Sequence, residues 1–112
     1  MGKFIKGDIV VVPFPFSDLS ASKRRPAIVL ADLIGDDLIL SQITSRNVSD
    51  SMSIAIDPDD VTGGVLSIAS NIRPNKLFTA DDSIVLYKIG TLKADKLKKV
   101  ITKVIEIFSN SN

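Results

Sequence analysis

The chain has 112 residues, of which 45% are hydrophobic and 24% charged, and this composition indicates one globular domain over residues 1–112 rather than a disordered or fibrous protein. Its net charge of +1 excludes a surface that is basic all over, so any nucleic-acid site must be a local patch. The apolar runs are too short to cross a membrane and the N-terminus lacks a signal-peptide core, so we expect a cytoplasmic protein.

Two missing residue types narrow the possible chemistry. The chain has no cysteine, which excludes disulfides, thiolate nucleophiles and cysteine-based metal sites. It also has no histidine, the usual general acid or base near neutral pH. Carboxylates at 57–60 and 81–82 are close enough in sequence for Mg²⁺, but both groups are typical of turns. We therefore expect no metal and no cofactor.

The first predicted elements are two strands joined by a basic loop. Residues 8–14 form an apolar run rich in valine, which predicts a strand that stops near Pro13, because proline cannot donate a ladder hydrogen bond. The polar residues 17–25 predict an exposed loop that ends in the basic cluster Lys23, Arg24 and Arg25. A second strand is predicted over 26–31.

The middle of the chain predicts further short strands. A turn at 35–37 separates the second strand from a third over 38–43, which pairs back as a hairpin. Alternation at Met52, Ile54 and Ile56 predicts another strand, followed by a short helical turn over 58–61. After a break at Gly63-Gly64 the pattern predicts a strand over 65–69 and then an irregular or extended piece over 70–78 that Pro74 interrupts.

The last element is predicted to be an amphipathic helix. Its apolar positions recur at helical spacing, and Lys96, Lys99 and Lys103 fall on the opposite, solvent-facing side. The apolar positions are Leu97, Val100, Ile101, Val104, Ile105 and Phe108. Many short strands followed by one helix favour a compact barrel.

Three segments carry a resemblance to a known family. They are the Arg-Pro step in SASKRRPAIVL, the strand end SQITS and the segment SNIRPNKLFT, which follow one another in this order. From Lys6 to Phe108 the chain resembles the MazF/PemK toxins. The resemblance implies a mainly β fold with a C-terminal α-helix, an SH3-like antiparallel barrel of the MazF/CcdB toxin type with short helical turns in its connecting loops. It also implies a homodimer.

The resemblance implies a function as well. Members of the MazF/PemK family are endoribonucleases that cut single-stranded RNA at selected sequences, without metal, by attack of the ribose 2′-hydroxyl on the adjacent phosphate. A cognate antitoxin protein neutralises them. Carried over to this chain, Arg25 would stabilise the developing charge and deliver a proton to the leaving oxygen, while the Thr44 hydroxyl would bond a phosphate oxygen. A planar guanidinium suits this role because its donor fork matches a phosphate.

Further residues are candidates for binding the substrate. Phe14 and Phe16 would stack on bases or plug the end of the barrel. Gln42 would share a face with Thr44, because side chains two apart on a strand point the same way. The full set of substrate-binding candidates is Phe14, Phe16, Lys23, Arg24, Gln42, Ser45, Arg73 and Lys76.

Alternative interpretations stay open at this point. Arg25 could form a salt bridge with Asp8 or Asp18, and Thr44 and Ser45 could cap a turn through local hydrogen bonds. The chain could also be a toxin of the same shape that poisons a protein such as DNA gyrase, or a barrel that binds RNA or a peptide without cleaving it.

Overall fold

The computed structural model describes residues 3–14, 23–48 and 50–110, and within them seven strands form one antiparallel sheet. The sheet order is β4-β6-β3-β2-β1-β7-β5. The sheet curls into a half-barrel and a C-terminal helix, α1, packs against it, which confirms the predicted mainly β fold. The elements are β1 (Asp8–Phe14), β2 (Lys23–Asp32), β3 (Asp37–Thr44), β4 (Ile54–Ile56), β5 (Val61–Thr62), β6 (Ser70–Asp81), β7 (Tyr87–Leu92) and α1 (Ala94–Asn110).

Both faces of the central strands are buried. On β1, Ile9 belongs to a cluster that includes Val100 of the helix, whereas its neighbour Val10 belongs to a second cluster. On β2, Ile28 belongs to the first cluster and its neighbour Val29 to the second. Because successive side chains on a strand point to opposite faces, a strand buried on both sides needs an unbroken apolar run. This requirement explains the runs IVVV and AIVL.

The predicted first loop is shorter than expected at its C-terminal end. β2 begins at Lys23 rather than at 26, and Arg24 and Arg25 pair with Pro13 and Val12 of β1. The sequence suggested a loop because these residues are charged. Backbone pairing with β1 overrides that preference, since a strand with one solvent-facing end tolerates charged side chains there.

The segment predicted over 70–78 as an irregular or extended piece is extended, and it belongs to the continuous strand β6. Pro74 is buried within β6 and is accommodated by a bulge, because Ser41 pairs with Leu77 while the next residue of β3 pairs with Arg73. The Ser41 hydroxyl donates to the Arg73 carbonyl at 2.6 Å. A bulge is one of the few places where a sheet accepts proline.

The strand predicted over 65–69 is absent, and the segment runs as irregular chain. Only Leu66 among these residues is buried, so the apolar residues around it are exposed rather than alternating between two faces. The missing side chain of Gly64 allows the segment to approach β7 closely, since a Cβ on this residue would lie 1.7 Å from the Ile89 carbonyl oxygen. By contrast β7, which the sequence pattern did not single out, is well formed.

The aspartate groups form turns, as the sequence indicated. A 3₁₀ turn at Pro58–Asp60 is capped by Asp57, whose carboxylate accepts from the Asp59 amide. A second 3₁₀ turn at Asp82–Ile84 is capped by Asp81. The Ser83 amide donates to the Asp81 carboxylate, and this bond is the main cause that lowers the pKa of Asp81 below its ordinary value.

The helix packs through a narrower stripe than its sequence pattern indicated. Val100 is fully buried and Leu97, Ile101 and Val104 are partly buried against the sheet. Phe108 is 68% exposed and Ile105 is also exposed, although both belong to the predicted apolar stripe. These exposed apolar side chains leave a patch that residues 3–14, 23–48 and 50–110 do not cover.

Candidate active site

A groove of about 380 Å³ opens at the end of the sheet where β2 begins and β3 ends. Because β2 and β3 are antiparallel, the start of one strand lies beside the end of the other. The β2–β3 ladder ends at the pair Ala27–Gln42, and Arg25 and Thr44 each lie two residues beyond that pair on their strands. The groove is lined by Arg24, Arg25, Pro26, Ile43, Thr44, Ser45, Val65, Leu66, Ser67, Ile68, Ser70, Tyr87 and Ile89.

Arg25 lies half-buried in the wall of this groove. Its backbone is held by pairing with Val12, so the side chain starts from a strand and not from a flexible connection. Asp8, one of its two suggested salt-bridge partners, is instead bonded to Lys88 at 3.1 Å and to Thr91 at 3.2 Å. The other suggested partner, Asp18, lies outside the described residues.

Thr44 is only 8% exposed and lines the same groove. Its hydroxyl oxygen accepts a hydrogen bond from the Arg46 amide at 3.2 Å, which is the local turn bond that the alternative interpretation predicted. A hydroxyl that accepts one bond still has its own proton to donate. The turn bond therefore orients the Thr44 hydroxyl and leaves it able to bond an anion in the groove.

The remaining candidates are distributed unevenly around this groove. Arg24 and Ser45 line it, whereas Lys23 and Gln42 are not among its lining residues. Lys76 is exposed in the bulge of β6. Phe14 ends β1, and nothing of its side chain is described; Phe16 lies outside the described residues.

Arg73 is engaged in the connection between β3 and β4. Its guanidinium donates to Asp50 at 3.2 Å, and the same carboxylate accepts from the amides of Met52 and Ser53. Desolvation alone would raise the pKa of Asp50, but the bonds from Ser53, Met52 and Arg73 together lower it below its ordinary value. Arg73 is not among the groove's lining residues, so in this structure it clamps a neighbouring loop.

The sequence pattern did not single out one wall of the groove. Tyr87 of β7 is 53% exposed there, and it faces a segment in which Val65 is 79% and Ile68 is 60% exposed. No local signal marks these three residues, because they meet only when β7 and the segment after Gly64 come together. Tyr87 is nevertheless the single tyrosine of the chain.

A second hollow, of about 480 Å³, continues from the groove and shares Ser45 and Ser70 with it. Its lining includes Asp57, Asp60 and Lys96. The Lys96 amino group lies 3.3 Å from the Ala55 carbonyl oxygen and 3.8 Å from the Asp60 carboxylate. Lys96 therefore ties the helix to the sheet, which corrects the expectation that it belongs to a purely solvent-facing surface.

The charge of the groove is one-sided. Two arginines contribute to its described lining, and that lining includes no carboxylate. A guanidinium beside a hydroxyl can bind an anion such as a phosphate and stabilise negative charge that develops on it.

Across residues 3–14, 23–48 and 50–110 there is no group of three or more acidic side chains that could hold a metal ion. Nor is any helix in these ranges long and apolar enough to span a bilayer.

Comparison with solved structures shows the same fold in several toxins. The chain matches MazF in a MazE–MazF structure from Deinococcus radiodurans with a TM-score of 0.77 and 18% identity, covering 96% of this chain and 98% of that one. It matches a mycobacterial endoribonuclease solved with its cognate antitoxin with a TM-score of 0.75 and 12% identity, covering 97% and 98%. For the Mycobacterium tuberculosis toxin MazF-mt6 the TM-score is 0.70 at 15% identity, covering 94% and 99%.

The sequence comparisons agree with this fold. Comparison with curated proteins gave no significant match. The family model of PemK-like, MazF-like toxins of type II toxin–antitoxin systems matches residues 5–108, which is nearly the whole chain. A match of this extent confirms the resemblance seen in the three sequence segments, and the chain belongs to the PemK-like, MazF-like toxin family of type II toxin–antitoxin systems.

Proposed function

We propose that this chain is a sequence-selective endoribonuclease toxin that cuts single-stranded RNA in the cytoplasm without a metal ion. The observation that carries the proposal is that Arg25 and Thr44 line one groove of about 380 Å³, each two residues beyond the Ala27–Gln42 pair of β2 and β3. A groove of this size falls within the usual range of ligand sites. Membership of the toxin family supports the same conclusion. The proposal treats residues 1–112 as one functional domain.

The reaction needs little from the protein beyond positioning and charge. The 2′-oxygen of one ribose forms a bond to the adjacent phosphorus while the bond from phosphorus to the 5′-oxygen breaks, leaving a 2′,3′-cyclic phosphate and a 5′-hydroxyl. The Arg25 guanidinium stabilises the negative phosphorane and donates a proton toward the leaving oxygen. The Thr44 hydroxyl donates to a phosphate oxygen and fixes the in-line geometry. Because no carboxylate is among the described lining residues, we assign removal of the 2′-proton to solvent.

The neighbouring groups would hold the flanking nucleotides. Arg24 and Ser45 line the groove and are the proposed contacts nearest to the cut phosphate. RNA binding by the other candidates stays a prediction from the sequence, namely binding by Phe14, Phe16, Lys23, Gln42, Arg73 and Lys76.

The decisive experiment uses RNA and a chelator. Purified wild-type protein is incubated with a long unstructured RNA in EDTA, and the ends of the products are analysed. We expect cuts at a restricted set of sequences, with 2′,3′-cyclic phosphate ends. Intact RNA would contradict the proposal. Binding of the RNA without cleavage would instead identify a non-catalytic barrel, and inhibition of DNA gyrase by a chain that leaves RNA intact would identify a toxin with a protein target.

The proposed partner protein is a cognate antitoxin that lies across the groove and excludes RNA. The mycobacterial endoribonuclease of the same fold was solved with its cognate antitoxin, and disordered segments that fold on binding can cover a large surface. The proposal requires that the antitoxin and RNA compete for the groove. An antitoxin that binds equally well when an uncleavable RNA saturates the groove would show that it docks elsewhere.

We also propose a homodimer formed through the uncovered end of α1. Phe108 and Val104 line an apolar hollow of about 430 Å³ with Leu30, Ile39 and Leu77 of the sheet. An apolar hollow beside a phenylalanine that is 68% exposed is typical of a surface that is covered in the assembled protein.

The dimer can be tested with a matched pair of substitutions. Phe108→Glu places a charge in the apolar hollow, so we expect it to weaken association by at least about tenfold, because a buried unpaired carboxylate is costly. Ile34→Glu makes the same kind of change on a fully exposed residue of the β2–β3 turn and should leave association unchanged. Sedimentation equilibrium measures both. A monomeric wild type, or equal association of the two variants, would contradict this interface.

A further inference from the structure

The wall of the groove formed by β7 and the segment after Gly64 is apolar, whereas the opposite wall carries the arginines. Three large side chains, Tyr87, Val65 and Ile68, are each more than half exposed on this wall. Single exposed apolar residues are ordinary on protein surfaces. Three of them lining one groove with two guanidinium groups form the mixed apolar and cationic lining that ligand sites use.

The sheet register fixes the distance between the two walls. Val11 of β1 pairs with Pro26 on one side and with Tyr87 on the other, so Pro26 and Tyr87 stand in one row across three strands. Residues paired in a row share a face of the sheet, and two strand spacings amount to about 10 Å. Arg24 lies two residues before Pro26 and shares that face. Tyr87 and Arg24 therefore border the groove from the same face of the sheet, on strands about 10 Å apart, and one nucleotide can span that gap.

The chemistry of the two walls matches the two parts of a nucleotide. Guanidinium groups bind phosphate, whereas a tyrosine ring offers a flat surface on which a base can stack. Single-stranded RNA is commonly recognised by splayed bases that stack on aromatic side chains beside basic groups. An apolar peptide side chain would fill the hollow next to Val65 and Ile68, but it would leave the flat ring and the paired arginines without a specific use.

We propose that the Tyr87 ring stacks on the nucleobase next to a phosphate bound by Arg24, beside the part of the groove that Arg25 and Thr44 line, and that Val65 and Ile68 form the apolar wall against that base. This inference rests on the proposed ribonuclease function and adds to it a residue that positions the RNA. It assigns to β7 the aromatic contact that the sequence had suggested for Phe14 and Phe16.

The test exploits the composition of the chain. Tyr87 is the single tyrosine and there is no tryptophan, so the intrinsic tyrosine emission of the protein reports on Tyr87 alone. The probe is a short oligonucleotide that spans the sequence cut by the wild type, with 2′-O-methyl groups that prevent the 2′-hydroxyl attack. Stacking on a base quenches tyrosine emission, and we expect saturable quenching at the same concentrations at which a labelled copy of the oligonucleotide binds.

Substitutions separate the ring from the hydroxyl group. Tyr87→Ala should weaken oligonucleotide binding by about 5- to 150-fold, which corresponds to the loss of one base stack. Tyr87→Phe keeps the ring and should bind within about twofold of wild type. Leu86→Ala changes the neighbouring exposed residue, which does not line the groove, and should also leave binding unchanged.

The outcomes distinguish this inference from the proposed function. Wild-type cleavage together with unquenched emission at saturation, or with Tyr87→Ala binding as tightly as wild type, overturns the role of Tyr87 alone. Loss of binding in Tyr87→Phe equal to that in Tyr87→Ala also overturns it, because the hydroxyl would then carry the contact. If Tyr87→Ala weakens antitoxin binding but not RNA binding, the wall serves the protein partner. Wild-type protein that neither cuts nor binds RNA overturns both proposals together.

Discussion

Replacing Arg25 with alanine is expected to slow RNA cleavage by about a thousandfold or more. The reason is that a guanidinium aimed at a phosphoryl group stabilises charge that develops only in the transition state, and removing such a group has typically cost about 10³- to 10⁵-fold. Arg25→Lys keeps the charge but loses the planar fork, so we expect an intermediate loss of about 10- to 100-fold. Single-turnover cleavage of the RNA site measures both rates.

The control removes one positive charge elsewhere on the protein. Lys99 is exposed on α1 and is not among the groove's lining residues. Lys99→Ala should therefore cleave within about twofold of wild type, because a distant surface charge is screened by salt. Equal rates for Arg25→Ala and Lys99→Ala would remove Arg25 from the reaction. Unchanged folding of Arg25→Ala, seen by circular dichroism, excludes loss of structure as the cause of a slow rate.

Gly64→Ala is expected to be the most damaging glycine-to-alanine substitution among the glycines of the described ranges. A Cβ at this position would lie 1.7 Å from the carbonyl oxygen of Ile89 and 2.8 Å from its carbonyl carbon, and neither backbone atom can move away cheaply. We expect a loss of about 3 kcal/mol or more in the free energy of unfolding, at the upper end for an overpacked site. Cleavage should fall as well, since the segment that carries Val65 and Ile68 would be pushed off β7. Urea unfolding and the RNA assay measure the two effects.

A second glycine serves as the matched control. Gly35 has a φ of +91°, with no atom within 4 Å of a Cβ built on it, so Gly35→Ala introduces backbone strain without a steric clash. The expected cost is about 1–2 kcal/mol. Gly35 lies in the turn at the end of the sheet away from the groove, so cleavage should be unaffected. If Gly64→Ala is no less stable than Gly35→Ala, the close approach between the segment and β7 is wrong.

Several strands could be predicted from local pattern because burial on both faces leaves a clear trace in the sequence. The runs around Val10 and Val29 are apolar without interruption, and the hairpin turn near Gly35 follows directly from its turn residues. The helix could be located from its apolar spacing. Pro74 was misleading, because whether a strand absorbs a proline in a bulge depends on its neighbour, here Ser41 of β3.

In the candidate site too, some residues could be predicted from local sequence and others could not. Arg25 and Thr44 could be named from short segments that resemble a family, since each belongs to a local sequence pattern. Tyr87, Val65 and Ile68 carry no such pattern, and they face the arginines only because β7 pairs with β1. Arg73 has the same local appearance as a phosphate ligand, but its guanidinium is bonded to Asp50 in the structure.

By itself, the sequence determined the absence of thiol and imidazole chemistry, the apolar strands β1 to β3, the amphipathic helix and the family to which the chain belongs. These properties depend on residue types or on residues close together in the chain, where spacing alone carries the information. Only the tertiary structure decided which cations line the groove, which are tied up by carboxylates, and which aromatic side chain faces them. Such choices are made by strand pairing between residues far apart in sequence, and local composition does not encode that pairing.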